Sequence, residues 1–274
     1  MEKRVAVVFD SAGTLLHMYR VAKQMDNGSI LEDIQTTLLV AQQPDRALVV
    51  LRTRFDELGK CDPEMKLHDF IEQFGINLGI SCSSSPFELE EVYGIIRQNN
   101  TKVSDLNDVV SLVRGRCPNV FYVAAGLIVD SRDNYVPYVL STGGQMYSKT
   151  YDTIRLLREL GTDIYIASGD DAKNLESLAS SLDIPFGDVY PVATTHDKER
   201  IVRTLKQTYD KVLMVGDGMN DILALRAADM GILTAQQGDL RPEILMDAAD
   251  IVIDNIIDVV DIIKNINDSV TLKK

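Results

Sequence analysis

Four short motifs combine carboxylates, a hydroxyl group and a lysine with glycine-rich turns. In chain order they are Asp10-Ser11-Ala12-Gly13-Thr14, the IASGDD segment around Ser168, Lys198 in THDKERIV, and VGDGMND with Asp217, Asn220 and Asp221. An aspartate carboxylate can act as a covalent nucleophile. The three carboxylates of Asp10, Asp217 and Asp221 favour a hard divalent cation such as Mg²⁺ over zinc or copper. Together the motifs indicate phosphoryl transfer, which needs a nucleophile, partners for the phosphoryl oxygens and an offsetting cation.

The other motif residues supply partners for phosphoryl oxygens. Ser168 offers a hydroxyl group, Gly169 allows close approach of the backbone, and Lys198 carries a positive charge that would balance Asp10 and a phosphate. Each motif also has a structural explanation, because D-x-x-G-T fits a strand and turn, and S-G-D fits a turn with a helix cap. GDGMND is more specific, since two carboxylates around a glycine-rich turn have little structural use. All four motifs in order favour a catalytic site.

The pattern around these motifs predicts a parallel sheet. TDIYIAS (162–168) and KVLMVGD (211–217) are short apolar runs typical of strands buried on both faces, and MGILT and DIVID predict two more. Amphipathic segments alternate with them, including the HDKERIVRTLKQTY helix with a predicted Thr194–Asp197 capping box, and a last helix through IIDVVDIIKNI. In such sheets ligands bind beyond the carboxyl ends of the strands, where Asp10, Ser168 and Asp217 are expected.

The middle of the chain has a different pattern. Residues 34–55 and 119–141 each read as two strands joined by a turn. Asp62-Pro63 and Ser85-Pro86 predict helix starts between these hairpins. We therefore predict an α/β fold in which a Rossmann-like core, 1–16 plus 144–274, carries an inserted α+β cap domain, 17–143.

The composition indicates which classes of binding partner and which cellular location to expect. The 274-residue chain has a net charge of −13, which argues against a nucleic-acid surface because such a surface needs a basic face. The three cysteines are far apart and form no C-x-x-C pair, which favours a reduced, cytoplasmic protein over a zinc site. No apolar run approaches the ~20 residues that span a bilayer, and MEKRVAVVFD lacks the apolar centre of a signal peptide. We expect a small phosphorylated substrate and neither nucleic-acid nor membrane partners, and nothing in the sequence indicates an oligomeric state.

The four motifs resemble those of the haloacid dehalogenase-like (HAD) superfamily, and within it the phosphorylation domain of P-type ATPases. VVFDSAGTLL is similar to their D-x-T-G-T strand, and YIASGDDAKNLESLASSLDI to their T-G-D segment and the following helix. KERIVRTLKQTYDKVLMVGDGMNDILALRAADMGIL is similar over its whole length, and AADIVI continues the match. The resemblance covers 1–16 and about 144–265. It does not extend to 17–143, where P-type ATPases carry a nucleotide-binding domain and many relatives carry a cap.

The resemblance implies a role for each matching residue. It makes Asp10 the phosphorylated nucleophile. It implies a Mg²⁺ site formed by Asp10, the Ala12 carbonyl group and Asp217, with Asp221 in support. The residues that it places around the phosphoryl group are Thr14, Ser168, Gly169, Lys198 and Asn220.

Ala12 departs from most phosphatases of this superfamily, which have a general acid–base aspartate two residues after the nucleophile. General acid–base catalysis contributes typically 10²–10⁴-fold, and its loss matters most for poor leaving groups such as sugar alkoxides. We therefore expect an activated donor such as ATP or an acyl phosphate, and a long-lived aspartyl-phosphate. An alternative base would have to come from the inserted region, with His17, Glu32, Asp33 and His68 as the candidates.

Two other functions remain open from the sequence. Phosphonoacetaldehyde hydrolases also have alanine at this position and cleave a C–P bond through a lysine Schiff base, for which Lys23, Lys60, Lys66 or Lys102 could serve. A phosphoryl-sensing protein without catalysis is the second alternative. The intact Asp10, Lys198 and Asp217 argue against it.

Overall fold

The computed structural model describes residues 4–53, 55, 58–117, 120–238 and 241–271, so Arg54 and Asn119 of the two predicted hairpins lie outside the described residues. The strands are β1 (Val5–Phe9), β2 (Leu16–Gln24), β3 (Ile30–Glu32), β4 (Arg46–Arg52), β5 (Asn77–Ser83), β6 (Val120–Asp130), β7 (Tyr135–Met146), β8 (Thr162–Ala167), β9 (Val189–Tyr190), β10 (Lys211–Gly216), β11 (Met230–Thr234) and β12 (Ile251–Ile253). The helices are α1 (Thr36–Ala41), α2 (Leu67–Gln73), α3 (Leu89–Gln98), α4 (Val103–Arg116), α5 (Thr150–Glu159), α6 (Ala172–Ser181), α7 (Thr195–Leu205), α8 (Ile222–Ala227), α9 (Glu243–Met246) and α10 (Asp258–Thr271).

The chain divides into two compact units. We call Met1–Met18 with Met146–Lys274 the core unit, and Tyr19–Gln145 the inserted unit. The chain passes from the core unit to the inserted unit along β2 and returns along β7. Among the described residues, no helix combines the length and the hydropathy needed to cross a bilayer.

The core unit contains a parallel sheet of Rossmann type. In the described part of the chain its order is β12-β11-β10-β1-β8-β9, and all of its adjacent strands are parallel. All residues of β1 are buried, as expected for a strand covered on both faces. Helices flank the sheet, with α5 against β8 and α8 against β11. The predicted α/β class is confirmed, and so are the predicted strands β8, β10, β11 and β12.

The inserted unit contains an antiparallel sheet in the order β3-β2-β7-β6-β4-β5. Alternate residues of its strands pack on opposite faces, as the period of a strand requires. On β4, Ala47, Val49 and Leu51 pack on the face covered by α2, α3 and α4, whereas Leu48 packs with Leu39 of α1 on the other face. The predicted hairpin in 119–141 is confirmed as β6 and β7.

Three local predictions in the inserted unit are wrong. The first half of 34–55 is helix α1 and not a strand. Its adjacent residues Leu39 and Val40 are both buried in one cluster, which a helix permits and the alternation of a strand does not. Asp62-Pro63 does not begin α2, because the Asp62 carboxylate accepts the Glu64 N–H (2.9 Å) in a local turn and the helix begins at Leu67. Helix α3 begins at Leu89, after the predicted start at Ser85-Pro86.

Candidate active site

The carboxyl ends of three neighbouring strands carry the predicted functional side chains. Asp10 follows β1, Ser168 follows β8 and Asp217 follows β10. Strand β1 lies between β8 and β10, and all three run in the same direction. The three residues therefore lie at one edge of the sheet, where open α/β sheets bind ligands.

A buried lysine joins two of the aspartates. The Lys198 ammonium group donates to Asp10 Oδ1 at 2.6 Å and to Asp221 Oδ1 at 2.7 Å. The Lys198 and Asp221 side chains are both 0% exposed, and that of Asp10 is 4% exposed. Lys198 is in the first turn of α7, where a capping box formed by Thr194 and Asp197 fixes the start of the helix. The sheet edge and the helix start thus bring together residues that are 188 positions apart.

The environment shifts the pKa values of this buried group. Burial raises the pKa of Asp10 well above its usual value, and the neighbouring Asp221 and Asp217 carboxylates add to the increase, while Lys198 opposes it. Burial alone would lower the pKa of Lys198, but the Asp10 and Asp221 carboxylates outweigh burial and raise it. Lys198 is therefore charged at neutral pH, and the site favours additional positive charge near Asp10.

Glycines allow the carboxylates to pack against the backbone. The Asp221 Oδ2 atom accepts the N–H groups of Asp217 and Gly218, both at 3.1 Å. A Cβ atom on Gly216 would lie 2.5 Å from the Asp221 carboxyl carbon. Gly13 has φ +80°, and a Cβ atom there would lie 2.1 Å from Asp217 Oδ2. The glycines of both motifs are therefore required by close approach, and Gly13 is also required by its backbone conformation.

The aspartates offer a set of oxygen ligands that suits a divalent cation. One carboxylate oxygen each from Asp10, Asp217 and Asp221 lie within 4.8 Å of one another. Asp217 is partly accessible, whereas Asp10 and Asp221 are buried. Hard carboxylate oxygens are the donors that Mg²⁺ and similar ions prefer, so the residues present fit such an ion. Ala12 lies in the same loop, two residues after Asp10, and is half-buried.

Hydroxyl groups lie in and beside the loop that follows β1. The Ser11 and Ser168 hydroxyl oxygens are 2.8 Å apart, and both donate to Asp170 Oδ2, at 2.5 and 3.0 Å. The buried Thr14 hydroxyl group has no hydrogen-bond partner among the described residues. Such a group usually marks the place of a water molecule or a ligand.

The remaining predicted residues, Gly169 and Asn220, are exposed. A Cβ atom on Gly169 would meet only the Ala193 carbonyl oxygen, at 4.0 Å, so the backbone there is open to approach. Asn220 is exposed, although it belongs to the same turn as Asp217 and Asp221. The structure therefore brings together Asp10, Lys198, Asp217 and Asp221, and links Ser168 to them through Ser11.

A further charged residue, Arg241, lies at the site although none of the four sequence motifs includes it. An Arg241 guanidinium nitrogen lies 3.5 Å from Asp217 Oδ2, and the Arg241 side chain is 10% exposed. The same nitrogen donates to the Thr234 carbonyl oxygen at 3.3 Å. Arg241 lies in the 235–247 segment, between the two matching stretches ADMGIL and AADIVI. The available signal was its place after β11, which ends at the same sheet edge as β10.

Comparisons with known proteins identify the family of this chain. The family model for haloacid dehalogenase-like hydrolases matches residues 5–229. The "Soluble P-type ATPase-like phosphatase" of Methanocaldococcus jannaschii is 32% identical over 266 residues, which cover 96% of this chain and 94% of the relative. The chain therefore belongs to the haloacid dehalogenase-like hydrolases. Within that family it is a phosphohydrolase related to the soluble P-type ATPase-like phosphatase.

Two transport ATPases are also similar to this chain. The copper-transporting ATPase ccc2 of Schizosaccharomyces pombe is 38% identical over 88 residues, which cover 32% of this chain and 10% of that protein. A zinc-transporting PIB-type ATPase in the E2P state superposes with a TM-score of 0.48 and 17% identity, over 98% of this chain and 42% of that one. Since that score is below 0.5, the family assignment comes from the sequence matches.

Proposed function

We propose that the protein is a Mg²⁺-dependent phosphohydrolase that works through an aspartyl-phosphate on Asp10. The observation that carries this proposal is the fully buried Lys198, which bridges Asp10 and Asp221 at the sheet edge that also bears Asp217. A buried cation between carboxylates is costly to desolvate, and its retention at a ligand-binding edge is typical of a functional site.

In the proposed reaction an Asp10 carboxylate oxygen forms a bond to phosphorus. The bond between phosphorus and the leaving oxygen breaks, and the leaving group departs as an anion with that electron pair. Water then attacks phosphorus, the bond between phosphorus and the Asp10 oxygen breaks, and inorganic phosphate leaves with the protons of the water as the Asp10 carboxylate is regenerated. Lys198 holds the Asp10 carboxylate in place through its 2.6 Å hydrogen bond and balances the charge of the incoming phosphoryl group.

The phosphoryl oxygens need hydrogen-bond donors, and we propose Thr14, Ser168, Gly169 and Asn220 together with Lys198. The buried Thr14 hydroxyl group, which has no partner among the described residues, supports this assignment most directly. Asp10, the Ala12 carbonyl group and Asp217 would hold the Mg²⁺ ion, and Asp221 would support it by fixing Lys198 and the backbone at Asp217. A bound Mg²⁺ ion would supply positive charge that offsets the excess of carboxylates.

Ala12 limits the donors that this site can use. The side chain at position 12 cannot protonate a leaving oxygen, so the donor should bring a leaving group that is stable as an anion. We therefore propose ATP or an acyl phosphate as the class of substrate. We further propose that the core unit is the catalytic domain, that the inserted unit is a cap that selects the substrate, and that the protein is cytoplasmic, as the cysteine spacing indicates.

The alternative function, C–P bond cleavage, receives no support from two of its candidate lysines. Burial would lower the pKa of Lys23, but hydrogen bonds to Asp105 and Asp108, at 2.8 and 2.7 Å, raise it. The hydrogen bond from Lys102 to Glu64 likewise raises the pKa of Lys102. A Schiff base needs a neutral amine, and both lysines are held charged.

Steady-state assays over a panel of phosphate donors test the proposal. We expect turnover of ATP or of an acyl phosphate with Mg²⁺, and little turnover of sugar monophosphates. The matched variant Ala12→Asp restores a carboxyl group at the acid–base position and should increase the rate with sugar monophosphates relative to ATP. Rapid hydrolysis of sugar monophosphates by the parent protein, without activity on ATP or acyl phosphates, would refute the proposed substrate class.

A further inference from the structure

Two consecutive glutamines follow β11 in the sequence TAQQGD, and their side chains bind different parts of the core unit. Gln236 and Gln237 are both half-buried, and each uses its amide nitrogen as a donor and its amide oxygen as an acceptor. They lie in the 235–247 segment, between the two matching stretches. None of the four motifs includes them.

Gln237 binds both chain segments that connect the core unit to the inserted unit. Its amide oxygen accepts the Met18 N–H at 2.9 Å and the Tyr147 hydroxyl group at 3.0 Å. Its amide nitrogen donates to the Met18 carbonyl oxygen at 3.0 Å. Met18 is the last core-unit residue before the chain leaves, and Tyr147 is the second after it returns. One side chain therefore holds the outgoing and the returning segments together.

Gln236 binds the loop that carries the nucleophile. Its amide nitrogen donates to the Thr14 carbonyl oxygen at 2.6 Å, and its amide oxygen accepts the Ile256 N–H at 3.1 Å. The same loop is tightened from within, because the Ser11 carbonyl oxygen accepts the N–H groups of Thr14, Leu15 and Leu16. Gln236 thus fixes this loop to the segment between β12 and α10.

Only a primary amide of this length meets these requirements. Glutamate lacks the donor and would place negative charge beside a backbone carbonyl oxygen. Leucine has neither polar group. Asparagine has both groups but is shorter by one methylene. The hydrogen-bonding groups of both amides are matched by backbone or hydroxyl groups that lie far away in the sequence, which indicates a positioning role beyond the local turn.

We propose that Gln236 and Gln237 are positioning residues, with Gln236 fixing the nucleophile loop and Gln237 fixing the two connecting segments. Loosening the nucleophile loop moves Asp10 relative to the phosphoryl group, which lowers kcat at nearly constant KM. The connecting segments lead into the inserted unit, which we propose to be the substrate-selecting cap, so loosening them should raise KM more than it lowers kcat. The kinetic part rests on the proposed function, whereas the structural part does not.

Hydrogen exchange of the full-length protein, measured by mass spectrometry without substrate, tests the structural part. Gln237→Glu should speed exchange about 2- to 10-fold in peptides that contain Met18 and Tyr147, since one hydrogen bond contributes about 0.5–1.5 kcal/mol. Gln236→Glu should instead speed exchange in the peptide around Thr14 and at Ile256. The control Gln207→Glu makes the same change at an exposed glutamine of the core unit and should leave these peptides unchanged.

The kinetic arm uses the same variants with the donor that the parent protein turns over. Gln236→Glu should lower kcat and Gln237→Glu should raise KM. Unchanged exchange in both variants relative to Gln207→Glu overturns the proposal, and so does a uniform increase over the whole core unit. If either glutamate variant does not fold, the asparagine variant at that position decides by the same exchange pattern. If the parent protein has no phosphatase activity, the proposed function fails, and the exchange result still decides the structural part.

Discussion

Each unit of the molecule buries a group of opposite charges, and the two groups differ in balance. In the inserted unit Arg46 Nε donates to Asp130 Oδ2 at 3.1 Å, and Arg46 Nη1 donates to the Leu39 carbonyl oxygen at 3.1 Å. This pair has one positive and one negative charge. In the core unit Lys198 faces both Asp10 and Asp221, and Asp217 is within 4.8 Å of them.

This difference in charge balance indicates a structural role for the inserted-unit pair and a functional role for the core-unit group. A balanced buried pair satisfies its own charges, so it holds strands and loops together and needs no ligand. The core-unit group has three carboxylates and one lysine, and an Arg241 guanidinium nitrogen lies 3.5 Å from Asp217 Oδ2. An excess of buried negative charge is costly for stability. Its retention at the sheet edge fits a site that is completed by a cation and a phosphoryl group.

The largest expected effect follows from removing the cation of the core-unit group. Lys198→Met should reduce kcat about 10²–10³-fold, as does the loss of one preorganised group that stabilises the transition state. Steady-state assays at a temperature where circular dichroism shows the variant to be folded measure this effect. Lys198→Arg is the matched variant that keeps the charge and should retain more activity. A Lys198→Met enzyme within a few-fold of the parent would remove Lys198 from the mechanism.

The inserted-unit pair should affect stability and leave the chemistry intact. Arg46→Met leaves the buried Asp130 without its cation, so the free energy of unfolding should fall by about 3–5 kcal/mol. Urea unfolding followed by circular dichroism measures this change. The kcat of the folded variant should equal that of the parent.

A double variant provides the control for this pair. Arg46→Met with Asp130→Leu removes both charges and should recover most of the lost stability, because two apolar side chains leave no buried charge. If the double variant is as unstable as Arg46→Met alone, packing and not charge determines the effect. In the core unit, by contrast, removing Lys198 together with one of its carboxylate partners should recover no activity.

Removing the Asp10 charge should have a smaller effect on the free energy of unfolding, and it should stabilise protein that contains no added metal. Burial and the neighbouring carboxylates raise the pKa of Asp10, so the folded chain keeps a proton that the unfolded chain loses at the ordinary pKa. Stability therefore falls as the pH rises from the ordinary pKa towards the raised one. Asp10→Asn removes this penalty and should stabilise the protein at neutral pH by about 1 kcal/mol.

Thermal unfolding at several pH values tests whether Asp10→Asn stabilises the protein and how this stabilisation depends on pH. The difference between Asp10→Asn and the parent should shrink as the pH is lowered towards the ordinary pKa of aspartate. Asp217→Asn provides a comparison at a partly accessible carboxylate and should stabilise less. A parent protein that is more stable than Asp10→Asn at neutral pH in the absence of metal would contradict the charge imbalance.

The core unit could be predicted from sequence to a much greater extent than the inserted unit. Parallel strands buried on both faces are continuous apolar runs, and their carboxyl ends identify Asp10, Ser168 and Asp217 without knowledge of packing. In the inserted unit the apolar run of α1 predicts a strand but forms a helix, because a short apolar run has no clear period by itself.

The residues that sequence analysis missed depend on distant partners. Gln236 binds Thr14 across 222 positions, and Gln237 binds Met18 across 219. Arg241 likewise meets Asp217 only because β10 and β11 are neighbours in the sheet. No local pattern encodes such contacts, since they follow from the order of the strands. The identity of the side chains in a loop therefore becomes informative only after the fold is known.

Trapping the intermediate tests most directly whether Asp10 becomes phosphorylated. The protein is mixed with Mg²⁺ and ATP or an acyl phosphate, quenched in acid during turnover, and digested for mass spectrometry. We predict a phosphoryl mass increment on the peptide that contains Asp10, and none in Asp10→Asn, which should also be inactive. Turnover without phosphorylation at Asp10, together with parental activity in Asp10→Asn, would contradict the mechanism.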